Sequence, residues 1–240
     1  MPARAALVTG ASSGIGLAIA RLLGEEGHGL TVAARRPDKL EAAAQELREA
    51  GFDVEAVAGN MGDEDDVARV AAAHRERFGR LDVLVNGAGV GVGAAVDEML
   101  TKRVDLQLDV NLRAPILLYR ETADLLKAAG AEHGNALVVN VASISGKSGQ
   151  AWLSVYSATK AGLIGFTQAM NKELAGEGVK SVALAPGFVD TPMADFVKDA
   201  IPAEDMIRTS DIAEAVRFLL RLSPTCVVPE IVFQRPNEAL

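Results

Sequence analysis

The chain of 240 residues carries one cysteine, Cys226. A lone thiol cannot close a disulfide within the chain, which predicts a reducing, cytoplasmic setting. The histidines His28, His74 and His133 are scattered, and beside a single cysteine they offer no metal-ligand spacing, so no metal is expected. Lys and Arg number 24 against 32 Asp and Glu, a formal charge of −8. Phosphate contacts need clustered cations, so this balance argues against nucleic acid as the main partner. No stretch reaches the roughly 18 apolar residues of a spanning helix, and no membrane partner is expected. Met1–Ala6 lacks the charged region, long apolar run and cleavage site of a signal peptide. Repeats, low-complexity tracts and linkers are missing as well, which predicts one domain over residues 1–240.

What the sequence does hold is 49% hydrophobic residues against 23% charged, the mix of a globular protein. Short apolar runs alternate with longer amphipathic stretches. Ala5–Thr9, Leu30–Ala34, Val54–Ala58, Leu81–Asn86, Ala136–Val141, Lys180–Ala185 and Glu230–Phe233 read as strands. Leu17–Glu26, a stretch capped by Asp38 and ending near Gly51, Asp63–Phe78, Leu153–Gly176 and Asp211–Leu222 read as helices. Val96–Ala129 reads as one long helical region bent at Pro115. Strands apolar throughout, separated by helices, predict an α/β fold: a doubly wound, Rossmann-like parallel sheet in three α/β/α layers. Its ligand crevice is expected at the carboxyl ends of the strands.

The first strand runs into Thr9-Gly10-Ala11-Ser12-Ser13-Gly14-Ile15-Gly16 and then a helix. Glycines allow a tight turn and a close backbone approach, and a helix N-terminus offers free N–H groups to a phosphate. A tight β-α turn without a ligand would use the same residues. The spacing G-x-x-x-G-x-G also differs from the common dinucleotide fingerprint.

Further marks follow in order: Asn86-Gly87-Ala88-Gly89, Asn111, Ser143, Tyr156-Ser157-Ala158-Thr159-Lys160, and Pro186-Gly187. Together with TGASSGIG they resemble the short-chain dehydrogenase/reductase family over residues from about 5 to 195. The resemblance implies an NAD(P)(H)-dependent oxidoreductase acting on a small carbonyl or alcohol, working as a homodimer or homotetramer. It implies that Tyr156 is general acid in reduction and base in oxidation, and that Ser143 polarises the substrate oxygen. Lys160 would lower the Tyr156 pKa and hold the nicotinamide ribose, and Asn111 would hold a relay water. The residues agree with part of this on their own. Tyr156 and Lys160 are four apart and share a helix face. An ammonium about 5 Å from the phenol is worth roughly 3 kcal/mol, or about two pKa units.

By the same resemblance, cofactor contacts fall to Gly10, Ser12, Ser13, Gly14, Ile15, Gly16, Asn60, Met61, Asn86, Gly87, Ala88, Gly89, Tyr156, Lys160, Pro186, Gly187, Val189 and Thr191. Ala34 stands where an NAD-type site carries an acid, and Arg35 and Arg36 follow it. A guanidinium suits a 2′-phosphate, so NADP(H) is expected to be preferred, with NAD(H) possible. Asp38 follows Pro37 and reads as a helix N-cap rather than the missing acid. Gly87 replaces a more common Asn, which is expected to soften its turn.

Gly91–Met99, Gln150–Leu153 and Met193–Ile207 are expected to wall the substrate, with Trp152 and Phe188 as apolar contacts. Cys226–Leu240 lacks the family's glycine-rich ending, through which tetramer contacts partly run. A dimer through helices around residues 100–128 and 153–176 is the alternative. Three activities compete: reduction of a general carbonyl, reduction of a 3-oxoacyl thioester, and a nucleotide-binding regulator without catalysis. The set Asn111, Ser143, Tyr156 and Lys160 favours an enzyme.

Overall fold

A computed structural model describes residues 3–236. Seven strands form one sheet: β1 (Arg4–Thr9), β2 (His28–Ala34), β3 (Val54–Ala58), β4 (Val83–Asn86), β5 (Ala136–Val141), β6 (Val179–Pro186) and β7 (Glu230–Phe233). Their order is β3-β2-β1-β4-β5-β6-β7, and every pair is parallel. The chain builds outward from β1 to β3, then returns to β1's other side with β4. That reversal opens a crevice beyond the carboxyl ends of β1 and β4.

Helices α1 (Gly14–Glu25), α2 (Pro37–Glu49) and α7 (Thr209–Leu220) cover one face of the sheet. Helices α3 (Glu64–Phe78), α5 (Ala114–His133) and α6 (Ser154–Leu174) cover the other. Alternation along the strands decides which side chain meets which layer. Ala6 and Val8 pack toward α1, and Leu7 between them packs toward α3 and α5. Burial on both faces explains why the strands lack polar alternation.

Two expectations need correction. Val96–Ala129 is not one bent helix. A short 3₁₀ turn (Val96–Glu98) leads to α4 (Thr101–Leu108), then a π-helical turn over Asp109–Arg113, then α5. Pro115 has no N–H, so it cannot accept the usual i+4 role toward the Asn111 carbonyl, and the wider turn forms just before it. Nor does Asp38 cap α2. Arg36 is the N-cap, Pro37 opens the helix, and Asp38 lies in the first turn. Proline is pre-set for that first position, so it starts the helix two residues earlier than an Asp38 cap would. The last strand forms as expected, while the tail of Cys226–Leu240 beyond residue 236 lies outside the described residues.

The edge of the sheet opposite the crevice is polar. Asp82, 1% exposed, accepts from the Ala5 N–H at 2.7 Å, from Arg80 at 2.7 Å and from His133 Nε2 at 3.0 Å. His28 and His74 are buried nearby.

Candidate active site

The crevice begins where three backbone segments touch. Gly10 has φ +69°, and a Cβ there would sit 2.5 Å from the Gly87 carbonyl oxygen. A Cβ on Gly16 would meet the Gly10 oxygen at 2.5 Å, and one on Gly87 would meet the Thr9 oxygen at 2.6 Å. No side chain fits between the glycine loop and the turn after β4. Gly87 is therefore a close-contact position and not a softened turn. Thr9 fastens the two segments: its Oγ1 accepts from the Gly87 and Ala88 N–H groups at 3.1 and 3.2 Å.

Ser12, Ser13, Gly14 and Ile15 are half-buried along the loop. Ser13 is the N-cap of α1, but its side chain makes no capping bond. The first N–H groups of the helix have no intrahelical acceptor, so they remain available to an anion. Gly14, at φ +58°, lies under Thr191, whose Cγ2 would be 3.0 Å from a Cβ there. This brings the segment after β6 onto the loop. Val189 is buried and pairs with Ile207, which closes the intervening residues into a flap. Gly187 N–H donates to the Phe233 carbonyl at 2.9 Å and so hangs this segment on β7.

On the other side, Thr9 pairs with Ala33, and the Ala11 N–H donates to the Ala33 carbonyl at 3.2 Å. Arg35 and Arg36 therefore leave β2 beside the glycine loop, both exposed. Asn60 follows β3 at the neighbouring corner. Its Oδ1 accepts from the Gly62 N–H at 3.2 Å and its own N–H donates to Asp66 at 2.7 Å. Met61 beside it is buried in the core.

The catalytic candidates converge next to Gly87–Gly89. Ser143 follows β5. Its Oγ accepts from the Ser145 N–H at 3.1 Å and donates to the Pro186 carbonyl at 3.4 Å. Tyr156 lies in the first turn of α6, its phenol within the influence of the Ser143 side chain. Lys160, one turn further on, is 4% exposed and donates from Nζ to the Val141 carbonyl at 2.7 Å. A Cβ on Gly89 would lie 3.6 Å from both Lys160 Nζ and Asn111 Oδ1. Asn111 is fully engaged. Its Oδ1 accepts from the Val90 N–H at 2.8 Å, and its Nδ2 donates to the Val90 carbonyl at 2.8 Å and to Thr159 Oγ1 at 3.1 Å.

The electrostatics differ from the expectation that Lys160 depresses the Tyr156 pKa. Burial pushes the Tyr156 phenol up, and the Ser143 hydrogen bond pulls it part of the way back. Lys160 Nζ stands 5.6 Å from the centre of the Tyr156 ring, and burial lowers its own pKa to about 8. Desolvation disfavours the charged form of each group and is the first cause of both shifts.

Asn86 also turns out differently. Its side chain points into the core, where Nδ2 donates to Asn140 Oδ1 at 2.8 Å. Asn140 donates in turn to Thr167 at 2.9 Å, and Thr167 to the Leu163 carbonyl at 2.7 Å. This buried chain ties β4 and β5 to α6 and so fixes the height of Tyr156 and Lys160. Thr9, Thr159, Asn140 and Thr167 are positioning residues that sequence reasoning did not single out. A polar residue inside an otherwise apolar strand, as at Asn140, was the available signal.

The backbone cradle, the open helix N-terminus and the pair of arginines fit a dinucleotide. Among the described residues no group of three His, Cys, Asp or Glu could hold a metal. The parallel sheet, its glycine loop and the Ser143–Tyr156–Lys160 group define a nicotinamide-dependent oxidoreductase of Rossmann type. A family model described as short chain dehydrogenase matches residues 4–201, and the chain belongs to that family. A putative ketoacyl reductase of Streptomyces coelicolor is 39% identical over 235 residues, which cover 90% of this chain and 89% of the relative. An actinorhodin polyketide ketoreductase variant solved with NADPH superposes with a TM-score of 0.86 at 35% identity, covering 96% of this chain and 94% of its own. A 3-ketoacyl-(acyl-carrier-protein) reductase from Brucella melitensis, solved with NADH, also gives 0.86, at 29% identity and 96% coverage of each chain.

Proposed function

We propose that the chain reduces a carbonyl substrate with NADPH, and that Tyr156 delivers the proton. The observation that carries this reading is the convergence of Ser143 and a buried Tyr156 phenol beside a buried Lys160, whose Nζ stands 5.6 Å from the centre of the Tyr156 ring. When bound, the nicotinamide supplies the hydride. Ser143 donates a hydrogen bond to the substrate oxygen and turns it toward the phenol. Tyr156 gives its proton to that oxygen as negative charge develops there. Its raised pKa keeps the phenol protonated before the reaction. Lys160 keeps a positive charge under the site and offers its remaining N–H groups to the ribose. Asn111 has no free side-chain atom, so its contribution to a proton path falls to its backbone carbonyl. Pro115 leaves that carbonyl without an i+4 N–H.

Arg35 and Arg36 would hold the 2′-phosphate of NADP. Both are exposed beside the loop, and among the described residues neither forms an ion pair. The side chain of Asn86 is turned to Asn140 in the core, so the backbone of Gly87–Gly89 would be the part of this turn that holds the cofactor. The test is a titration with NADPH and NADH, repeated in Arg35→Ala and Arg36→Ala, with turnover of a carbonyl panel by Tyr156→Phe beside it. Equal affinity for the two cofactors overturns the arginine assignment. Undiminished turnover by Tyr156→Phe overturns the acid.

A second reading within the same chemistry is a 3-oxoacyl thioester substrate, supported by the ketoacyl reductases among the relatives. Rates on a 3-oxoacyl thioester and on the matching simple ester decide between them. We further read residues 1–240 as one cytoplasmic domain that pairs through the helices around residues 100–128 and 153–176, α4, α5 and α6. Leu108 and Ile116 are exposed there.

A further inference from the structure

Trp152 is the sole tryptophan of the chain, and its side chain is 61% exposed. It is also the one non-glycine residue among those described with a positive φ, +68°. The cause is a β-turn in which the Leu153 N–H donates to the Gln150 carbonyl at 3.1 Å, with Trp152 in third place. That place calls for glycine or asparagine. The turn is held from two sides. Ser157 Oγ accepts from the Gln150 N–H at 3.2 Å, and the Ala94 N–H donates to the Trp152 carbonyl at 2.9 Å. A glycine would make the same turn without strain. What the strain keeps in place is the indole.

Two glycines define where the indole sits. A Cβ on Gly91 would lie 3.6 Å from the Tyr156 ring, and a Cβ on Gly93 would lie 2.4 Å from the Trp152 ring. Gly91 and Gly93 are two residues apart, so their Cα atoms are separated by about 7 Å at most. The phenol and the exposed indole thus stand side by side on one glycine ledge. The six-membered ring of the indole lies against Gly93, and most of the side chain is open to solvent.

We propose that Trp152 is a specificity-determining residue whose exposed indole stacks on a planar unsaturated ring of the substrate, on the same glycine ledge that carries Tyr156. This rests on the carbonyl-reductase reading above. A saturated chain laid on the indole gains only burial. A flat π-system gains burial and offset stacking together.

Benzylacetone and its ring-saturated counterpart test this, because they share one carbonyl and one linker and differ only in the ring. In Trp152→Ala the preference for benzylacetone, as a ratio of kcat/KM values, falls about three- to ten-fold, chiefly through KM. Trp152→Phe recovers part of it. Trp152→Gly removes the ring and the strain together, so it loses the same preference while its thermal midpoint rises. In the unsubstituted protein loaded with NADP⁺, benzylacetone changes the emission of its single tryptophan. An unchanged ratio in the Ala and Gly variants overturns the stacking role and leaves carbonyl reduction standing. Failure of the unsubstituted enzyme to reduce either ketone overturns both.

Discussion

Lys160 donates to the Val141 carbonyl at 2.7 Å, and this one backbone acceptor holds an almost fully buried ammonium at the end of β5. The strand thereby sets the position of the charge, and α6 brings Tyr156 to it. Burial lowers the Lys160 pKa to about 8. Carbonyl reduction needs a protonated phenol and, by our reading, a protonated Lys160. Burial raises the first pKa and lowers the second, so Lys160 titrates first as the pH rises. The rate of reduction is expected to fall above about pH 8, with a pH–rate profile as the check. A profile flat to well above that value would remove Lys160 from the protonic step.

The same burial has a stability consequence. The folded pKa of Lys160 lies below its ordinary value, so the unfolded chain binds more protons between the two. Stability then rises with pH through that window. At neutral pH the buried charge costs about 3 kcal/mol. Lys160→Met removes that cost but leaves the Val141 carbonyl without its donor, a loss of about 1–2 kcal/mol. The balance predicts an inactive enzyme that melts about 2–4 °C higher, measurable by calorimetry.

Asn111 is expected to act on the site through Val90. Its amide completes both backbone groups of that residue and reaches Thr159 on α6. Asn111→Ala leaves a part-buried N–H and C=O of Val90 unpaired, at about 1–3 kcal/mol. The segment Gly89–Gly93 then loses its anchor beside Tyr156. Both a lower melting temperature and a raised KM for the carbonyl follow. A variant that melts lower with KM unchanged would confine Asn111 to stability.

Much of this was legible in the residues. The strand runs are distinct because a sheet buried on both faces demands unbroken apolar segments, and Val54–Ala58, Ala136–Val141 and Glu230–Phe233 emerge with the boundaries read from sequence. The glycine loop and the Tyr156–Lys160 spacing are local, so the chain displays them directly. What stayed hidden depends on distant partners. Nothing near Asn86 says that its side chain will turn toward Asn140, 54 positions away, instead of the crevice. The desolvation of Tyr156 and Lys160 is hidden for a related reason. Spacing gives their separation, but only the packed layers give the desolvation. The π turn before Pro115 is a finer case, since proline announces a break without saying which geometry absorbs it.

Gly10 and Gly27 separate the two reasons for glycine. Both have positive φ, +69° and +83°. A Cβ on Gly27 would meet nothing within 4 Å, whereas one on Gly10 would press into the Gly87 backbone. Gly27→Ala is expected to cost about 1–2 kcal/mol from backbone conformation alone and to leave NADPH affinity intact. Gly10→Ala must also push the turn after β4 away, so it is expected to lose cofactor binding as well as more stability. Denaturant midpoints and nicotinamide fluorescence titrations on the two variants measure this. Equal effects would mean that the close contact at Gly87 does not shape the cofactor cradle.

His74 makes the opposite edge of the sheet sensitive to acid. Its Nε2 lies 2.9 Å from the Arg80 carbonyl, which can only accept, so Nε2 carries the proton. Nδ1 then accepts from the Thr31 hydroxyl at 2.8 Å. The neutral ring is completely matched, and a second proton on Nδ1 would displace the Thr31 bond inside the core. Burial lowers the His74 pKa from 6.5 to about 4. The folded value lies below the unfolded one, so stability is full above the ordinary histidine range and drains as pH falls toward 4. Between pH 7 and pH 5 the loss from His74 is about 2 kcal/mol. His28, also lowered by burial, adds to it in the same direction. The Asp82 carboxylate is held below its usual range chiefly by Arg80, against the opposing effect of burial, so its own contribution is lost only at lower pH. His74→Gln offers a neutral amide that can accept from Thr31 and donate to the Arg80 carbonyl. Urea midpoints for the two proteins at about pH 7 and pH 5 are expected to fall steeply for the unsubstituted chain and less for the variant. Parallel falls would place the acid sensitivity elsewhere than His74.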